Sequence, residues 1–411
     1  MGRIRLADWR AVTVALATVA WGGNQFTPLL VMYRQHSGFS NQAVTVLLAA
    51  YVAGIVPAML LGGPLSDRHG RRPLMYPAPA VAALGSLLLA VGAHSEPVLF
   101  LGRMLSGVAL GLGMAVGTSW LKELRPRSGA ALASTSLTVG FAVGAGAAAG
   151  LAQFAVWPTV LAYLVHIALA SAATVMLIGT PETRIGEAPE RSAARRQPSR
   201  RFLVVVLPMA PWIFGFAGSA YAILPELLSG WSKGLATGIS GLHCLIALGC
   251  GILVQPLGRR LGSASGPATG LAVGAAGLLV GCLAVSTMTA GGFLLAAAVL
   301  GCGYGLLMVA GLAEVQRLAG PDDLARLTAA YYCLAYLGFL VPAALAALNR
   351  WFGYPEMFLG GTVLALATLV VVIIGGRNTR PAPYVTPTRW AGSDDRNRAV
   401  ELAGLVGDAA D

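Results

Sequence analysis

Arg103 is the one charged residue that lies well inside a long apolar stretch of this sequence, within Leu99-Phe100-Leu101-Gly102-Arg103-Met104-Leu105. A guanidinium placed in hydrocarbon costs on the order of several kcal/mol unless it is paired, so a residue of this kind is a candidate for binding, gating or coupling. Snorkelling to the nearer boundary, about a turn and a half away, is the structural alternative. No acid reaches a comparable depth, since Glu123, Glu226 and Glu314 sit near the ends of their stretches. His166 and His243 do lie inside apolar stretches. An imidazole titrates near pH 6.5, about where proton traffic needs it, and serves equally as a structural hydrogen-bonding group. A second cluster is Gly63-Pro64-Leu65-Ser66-Asp67-Arg68-His69-Gly70-Arg71-Arg72. There Asp67 can pair with the neighbouring arginines or cap a helix N-terminus, Gly63 admits a close helix, and Gly70 permits a tight turn.

The elements that hold these residues follow from composition. Hydrophobic residues make up 56% of the 411 and charged residues only 11%, against roughly 25% charged in a soluble domain. Neither a water-soluble fold nor a disordered chain has this balance, and a polytopic membrane protein does. About twenty apolar residues cross a hydrocarbon core as a helix. Twelve such runs are expected near 10-33, 43-63, 74-93, 97-119, 129-151, 157-179, 203-225, 236-256, 266-287, 291-313, 326-347 and 356-375. Among the 28 Lys and Arg, Arg34, Lys233 and Arg350 follow odd-numbered runs, Arg103 lies within one, and the other 24 fall on the opposite side. The positive-inside rule then predicts cytoplasmic termini and a multi-pass cell (inner) membrane protein. Trp9 and Trp120 are expected at the inner interface, and Trp157, Trp231 and Trp351 at the outer one. The net charge of +11 is spread over short loops, so no nucleic-acid partner is expected. The five cysteines have no CxxC pair, and neither a metal site nor a cofactor is expected.

The polar stretch from Pro181 to Arg201 separates two sets of six runs. The expected organisation is an amino-terminal bundle over 1-180, a cytoplasmic linker over 181-201, a carboxy-terminal bundle over 202-376 and a cytoplasmic tail over 377-411. The tail is expected to be mostly disordered, with a short helix around Ala399 to Val406.

The Gly63 to Arg72 segment resembles the loop signature of the major facilitator superfamily, matched at Gly63, Leu65, Asp67, Arg68, Gly70, Arg71 and Arg72. Arg103, Gly107 and Gly111 resemble a second superfamily motif, and the stripe Gly140, Gly144, Gly146, Gly150 resembles the glycine-rich helix of its antiporters, with Ala145 where a proline is usual. Such glycines also pack helices closely. An echo, Gly251, Gln255, Gly258, Arg259, Arg260, lies 188 residues after Gly63, Asp67, Gly70, Arg71 and Arg72. Internal symmetry of this kind is expected of a transporter built from repeats. The resemblance implies an all-α membrane protein of twelve transmembrane helices in two pseudo-symmetric six-helix bundles. It also implies that the Gly63, Asp67, Arg68, Gly70, Arg71, Arg72 loop latches the outward-open state.

Depth arithmetic gives Arg103 a neighbour. Asn24 lies about 21 Å up the first helix, and Arg103 about 8 Å below the far boundary of a core of roughly 30 Å. Trp21, Asn24, Gln25 and Pro28 share a helical face, and the amides of Asn24 and Gln25 are expected to meet the guanidinium as coupling partners. The superfamily builds its cavity from helices 1, 4, 7 and 10, which implies Trp21, Trp212, Phe216, Tyr221, Tyr304 and Met308, joined by Tyr332 and Tyr336 from helix 11. Such walls suit an amphipathic molecule.

The expected function is secondary active transport by alternating access, with proton-coupled efflux of small amphipathic compounds first and metabolite uptake by a symporter or facilitator second. A membrane ligand sensor is the alternative of another class. Expected partners are a small-molecule substrate, protons and the lipid bilayer, with the monomer as the functional unit. No enzyme activity is expected. Gly230-Trp231-Ser232-Lys233-Gly234 has nucleophile-elbow spacing but no strand before it, and neither a zinc-binding HExxH nor a phosphate-binding loop occurs.

Overall fold

The computed structural model describes residues 6–183, 199–231, 234–319 and 324–379. The central part of the linker, the tail and the Ser232-Lys233 pair of the elbow-like sequence lie outside the described residues. All regular structure among the described residues is helical. Helix α1 runs over Leu6–Asn24, passes a tight turn at Thr27–Leu29 and resumes as Leu30–Ser37. It is followed by α2 (Asn41–His69), α3 (Arg71–Val91), α4 (Glu96–Leu124), α5 (Gly129–Phe154) and α6 (Leu161–Leu177). The second set comprises α7 (Phe202–Leu227), α8 (Ala236–Leu253), α9 (Gln255–Thr287), α10 (Ala290–Leu318), α11 (Leu324–Tyr336 continued by Val341–Leu348) and α12 (Tyr354–Asn378). Ten of these helices are long and apolar enough to cross a membrane, α6 is a shorter apolar helix, and α1 is interrupted. The twelve expected runs correspond to these twelve helices.

Packing shows the repeat more clearly than sequence does. In the first set α1 packs on α5, α2 on α4, and α3 on α4 and α6. In the second, α7 packs on α11, α8 on α10, and α9 on α10 and α12. Each pairing recurs six helices later. The seams between the sets, α5 with α8 and α2 with α11, also exchange under this relation.

Glycines set the closest approaches. A Cβ at Gly107 of α4 would lie 2.2 Å from the Tyr51 carbonyl oxygen of α2, and one at Gly305 of α10 would lie 2.0 Å from that of Gly251 on α8. Backbones this close are a packing solution in lipid, where association relies on van der Waals contact.

The echo needs a different register. Gly70 ends α2 with φ +97°, whereas the positive-φ glycine after α8 in the second half is Gly262, φ +60°, inside the kinked α9. Gly258, 188 residues after Gly70, is helical instead. The chain break, and not the string of arginines, marks equivalence, because only glycine adopts that conformation cheaply. Pro64, Leu65, Arg68 and Gly70 then match Pro256, Leu257, Arg260 and Gly262.

Trp120 also departs from expectation. It is fully buried, and its indole N–H donates to the Pro181 carbonyl at 3.2 Å, so it fastens α4 to the start of the linker. Trp157, Trp231 and Trp351 are well exposed at helix ends on the side away from the linker.

Candidate functional site

Arg103 is 1% exposed, in the first half of α4. Its Nε donates to the Leu47 carbonyl of α2 at 3.3 Å and its Nη1 to the Gly23 carbonyl of α1 at 3.1 Å. The interruption of α1 just after Asn24 explains why a carbonyl there is free to accept. The guanidinium carbon lies 4.7 Å from the ring centre of Phe26 and 4.7 Å from that of Tyr51. Aromatic faces and carbonyl dipoles thus replace a carboxylate as the counter-charge. The third nitrogen, Nη2, has no hydrogen-bond partner among the described residues.

Arg103 lines a cavity between the two bundles, together with Gly23, Asn24, Thr27, Tyr51, Phe141, Phe214, Tyr221, Leu248, Tyr304, Tyr336 and Phe339. Apart from Arg103 the lining carries no charge. Phe214 stacks on Tyr336 with centroids 4.5 Å apart and on Phe339 at 4.7 Å, and it meets Tyr304 at 5.8 Å. Tyr51 meets the edges of Tyr336 and Phe339 at 5.9 and 6.0 Å. An arginine of the first bundle therefore faces an aromatic cluster supplied mainly by the second.

Of the residues expected here, Asn24, Arg103, Tyr221, Tyr304 and Tyr336 line the cavity, and the others lie elsewhere. The Asn24 amide donates to the Phe141 carbonyl at 3.1 Å and accepts from Thr27 at 2.9 Å. Gln25 donates to Ser86 Oγ at 2.8 Å. Neither amide touches the guanidinium, which takes the backbone of Gly23 instead. Trp21 is half-buried against Gly144 of α5. Trp212 donates to Thr368 of α12 at 3.2 Å, and Phe216 packs against Gly274 of α9. Met308 takes up Tyr331 of α11, whose ring is also the neighbour of Tyr332 at 5.2 Å. On α7 the cavity face is Phe214 with Tyr221, seven residues apart, while Trp212 and Phe216 occupy another face. Heptad spacing on α7 and the i, i+3 pair Tyr336 and Phe339 were the available sequence signals for what was missed.

His166 is wholly buried between Ser86 Oγ, 2.7 Å from Nδ1, and the Thr18 carbonyl, 3.0 Å from Nε2. With Gln25 this chain ties α1, α3 and α6 together. His243 meets its own helix at the Ile239 carbonyl, 2.9 Å away, and its Nε2 is buried with no partner.

On the linker side, Arg71 organises the loop after α2. Its guanidinium reaches Asp67 at 2.8 Å, Glu123 of α4 at 2.8 Å and Ser66 at 2.6 Å. Glu182, at the start of the linker, accepts from the backbone N–H groups of Arg71 and Arg72 at 2.9 and 2.8 Å. The carboxy-terminal bundle has a counterpart in Glu314 of α10, fully buried and paired with Arg201 and Arg317. On the far side the bundles are joined by an ion pair, Arg34 of α1 with Glu226 of α7 at 2.5 Å. Gln153 of α5 adds a bond to the Gly234 carbonyl and another to the Gly238 N–H, both 2.9 Å.

The sequence model of the Major Facilitator Superfamily matches residues 11–342. The chain belongs to the major facilitator superfamily. Its relatives in that superfamily are transporters. The chain is 29% identical over 181 residues to the 4-hydroxybenzoate transporter PcaK of Pseudomonas aeruginosa, covering 43% of this chain and 39% of PcaK. It is 30% identical over 131 residues to a gallate transporter of Pseudomonas putida (31% and 29% of the two chains). The multidrug resistance protein MdtL of Klebsiella pneumoniae is 30% identical over 89 residues (22% of each). The matched stretches span less than half the length of these relatives.

Among solved structures, a POT family transporter in complex with 5-aminolevulinic acid has a TM-score of 0.72 at 13% identity, over 90% of this chain and 96% of that one. The xylose transporter XylE of E. coli has a TM-score of 0.68 at 15% identity, over 90% and 97%. The superfamily fold therefore covers nearly all of the chain. It is that of a multi-pass membrane transporter.

Proposed function

We propose that this chain is a secondary active transporter that carries a small aromatic carboxylate across the inner membrane by alternating access, coupled to protons. The observation that carries the proposal is Arg103, which lines a cavity with aromatic walls and no acidic residue and whose Nη2 has no hydrogen-bond partner among the described residues. A buried donor of a charged group is costly to leave unmade, so the site favours an anion that supplies the acceptor. The rings of Phe214, Tyr336 and Phe339 favour a flat apolar body behind that anion. A cationic compound has no counter-charge there.

The relatives bear on direction. The longer matches are to transporters named for 4-hydroxybenzoate and gallate, both aromatic carboxylates, which supports that substrate class, and uptake is the direction we propose for it. Proton-coupled efflux of amphipathic compounds is the second reading, favoured by the glycine stripe of α5 and by the MdtL match. With the linker on the cytoplasmic side by the positive-inside rule, the far-side contacts of Arg34, Glu226 and Gln153 close the extracellular entrance. Substrate shifts the carrier between its two orientations only through its different affinity for each.

Proteoliposomes with an imposed pH gradient, loaded or bathed with benzoate, with 4-hydroxybenzoate or with a lipophilic cation, test this directly. Carboxylate flux driven by the gradient is expected, and its direction relative to the gradient separates uptake from efflux. Flux of the cation alone overturns the substrate assignment, and carboxylate binding with no flux under any gradient establishes the sensor alternative.

A further inference from the structure

Two tyrosines of the second bundle, Tyr221 on α7 and Tyr304 on α10, line the same cavity as Arg103, and their hydroxyls have no hydrogen-bond partner among the described residues. Other buried tyrosines use theirs. Tyr33 and Tyr163 bond each other at 2.8 Å, and Tyr331 donates to the Met308 carbonyl at 2.9 Å. Tyr221 as a residue is 1% exposed. Polar groups buried in a folded chain are almost always paired, and one left open where it lines a cavity is available to what enters. Of the other polar side chains of the lining, Asn24 and Thr27 are bonded to each other, and Tyr51 and Tyr336 share a hydrogen bond, the Tyr336 hydroxyl also reaching Met114 Sδ at 3.3 Å. The open positions are therefore one cationic donor in the first bundle and two hydroxyls in the second.

We propose that Tyr221 and Tyr304 read a polar substituent, a ring hydroxyl in particular, at the end of the substrate away from its carboxylate. This rests on the aromatic-carboxylate reading of the cavity and sharpens it. A phenolic hydroxyl both donates and accepts, and two tyrosine hydroxyls can meet both functions. The ring between the two polar ends packs against the cluster of Phe214, Tyr336 and Phe339. Such a substrate is held by Arg103 at one end and by the second bundle at the other. It bridges the moving halves of the carrier, whereas an unsubstituted aromatic acid is held at one end only.

The test is calorimetric titration of the purified full-length protein with benzoate and with 4-hydroxybenzoate. The variants are Tyr221→Phe, Tyr304→Phe and the double substitution, which keep the rings and remove only the hydroxyls. The wild type is expected to prefer 4-hydroxybenzoate by about tenfold, the worth of one or two neutral hydrogen bonds. Each single variant should lose part of that preference and the double variant all of it, with benzoate affinity within about twofold of wild type throughout. Retained benzoate binding also reports that each variant is folded. Equal affinity of the wild type for the two acids, or a preference that survives in the double variant, overturns the assignment of the tyrosines and leaves the carboxylate reading intact. Failure of both acids to bind the folded wild type overturns the carboxylate reading and this inference with it.

Discussion

Replacing Arg103 by glutamine removes the charge and keeps most of the length of the side chain. In the structure two of the three guanidinium nitrogens are spent on the Leu47 and Gly23 carbonyls, at 3.3 and 3.1 Å, and only Nη2 is left for a ligand. A hydrogen bond to a charged group contributes about 1.5–3 kcal/mol. At 1.4 kcal/mol per factor of ten, that corresponds to an affinity for benzoate roughly 10- to 100-fold weaker in Arg103→Gln. Arg103→Lys retains the charge but has one nitrogen to divide between the carbonyls and the ligand, so its loss should be intermediate. Titration of the purified variants with benzoate and with benzamide, its neutral isostere, measures the effect. Benzamide should bind weakly and equally to all three proteins. A monodisperse Arg103→Gln protein with wild-type benzoate affinity would falsify the assignment of Arg103 as the anion site.

Three further outcomes follow from other contacts. Asp67→Asn removes one of the two acids on Arg71 while Glu123 remains at 2.8 Å, so the protein should insert normally and transport more slowly in proteoliposomes. Unchanged flux removes Asp67 from the mechanism. Glu226→Gln breaks the ion pair with Arg34, a partly exposed contact contributing about 1 kcal/mol. Labelling of a cysteine placed at Gln153 by a membrane-impermeant thiol reagent should then accelerate about fivefold, and an unchanged rate excludes this pair as an outer gate. Gly107→Ala puts a methyl 2.2 Å from the Tyr51 carbonyl, so α2 and α4 must separate. The melting temperature should fall by several degrees or more, and a wild-type value would contradict the packing of these helices.

The helices were legible because apolar runs of membrane-spanning length, divided by charged loops, leave few other readings, and Arg103 was legible because nothing else like it occurs. What escaped was rotation about the helix axes. On α7 four aromatic residues fall within ten positions, and Phe214 and Tyr221 line the cavity while Trp212 and Phe216 pack on α12 and α9. A span surrounded by lipid and protein is apolar on every side, so the polar stripe that orients a soluble helix is missing. The acceptors of Arg103 were hidden for a different reason. They are backbone carbonyls, which side-chain identity does not report, although Gly22, Gly23 and Pro28 flank the break in α1 that frees one of them. The loop echo was placed four residues early because Arg259 and Arg260, just before Gly262, attract the alignment more than the glycine does.

The way Arg103 is neutralised has an electrical consequence. Its counter-charge consists of ring faces and carbonyl dipoles, so the vacant site keeps a full positive charge inside the membrane. A potential of 100 mV, negative inside, acts on such a charge with up to about 2.3 kcal/mol when the whole voltage drop lies across it. Under the proposed alternating-access cycle with a cytoplasmic linker, this pulls the vacant carrier toward the orientation open to the cytoplasm, the one in which Arg34 and Glu226 are joined. On that reading, collapsing the voltage releases the pull, and the empty protein's distribution between its two orientations shifts with the cell's energy state before any solute arrives.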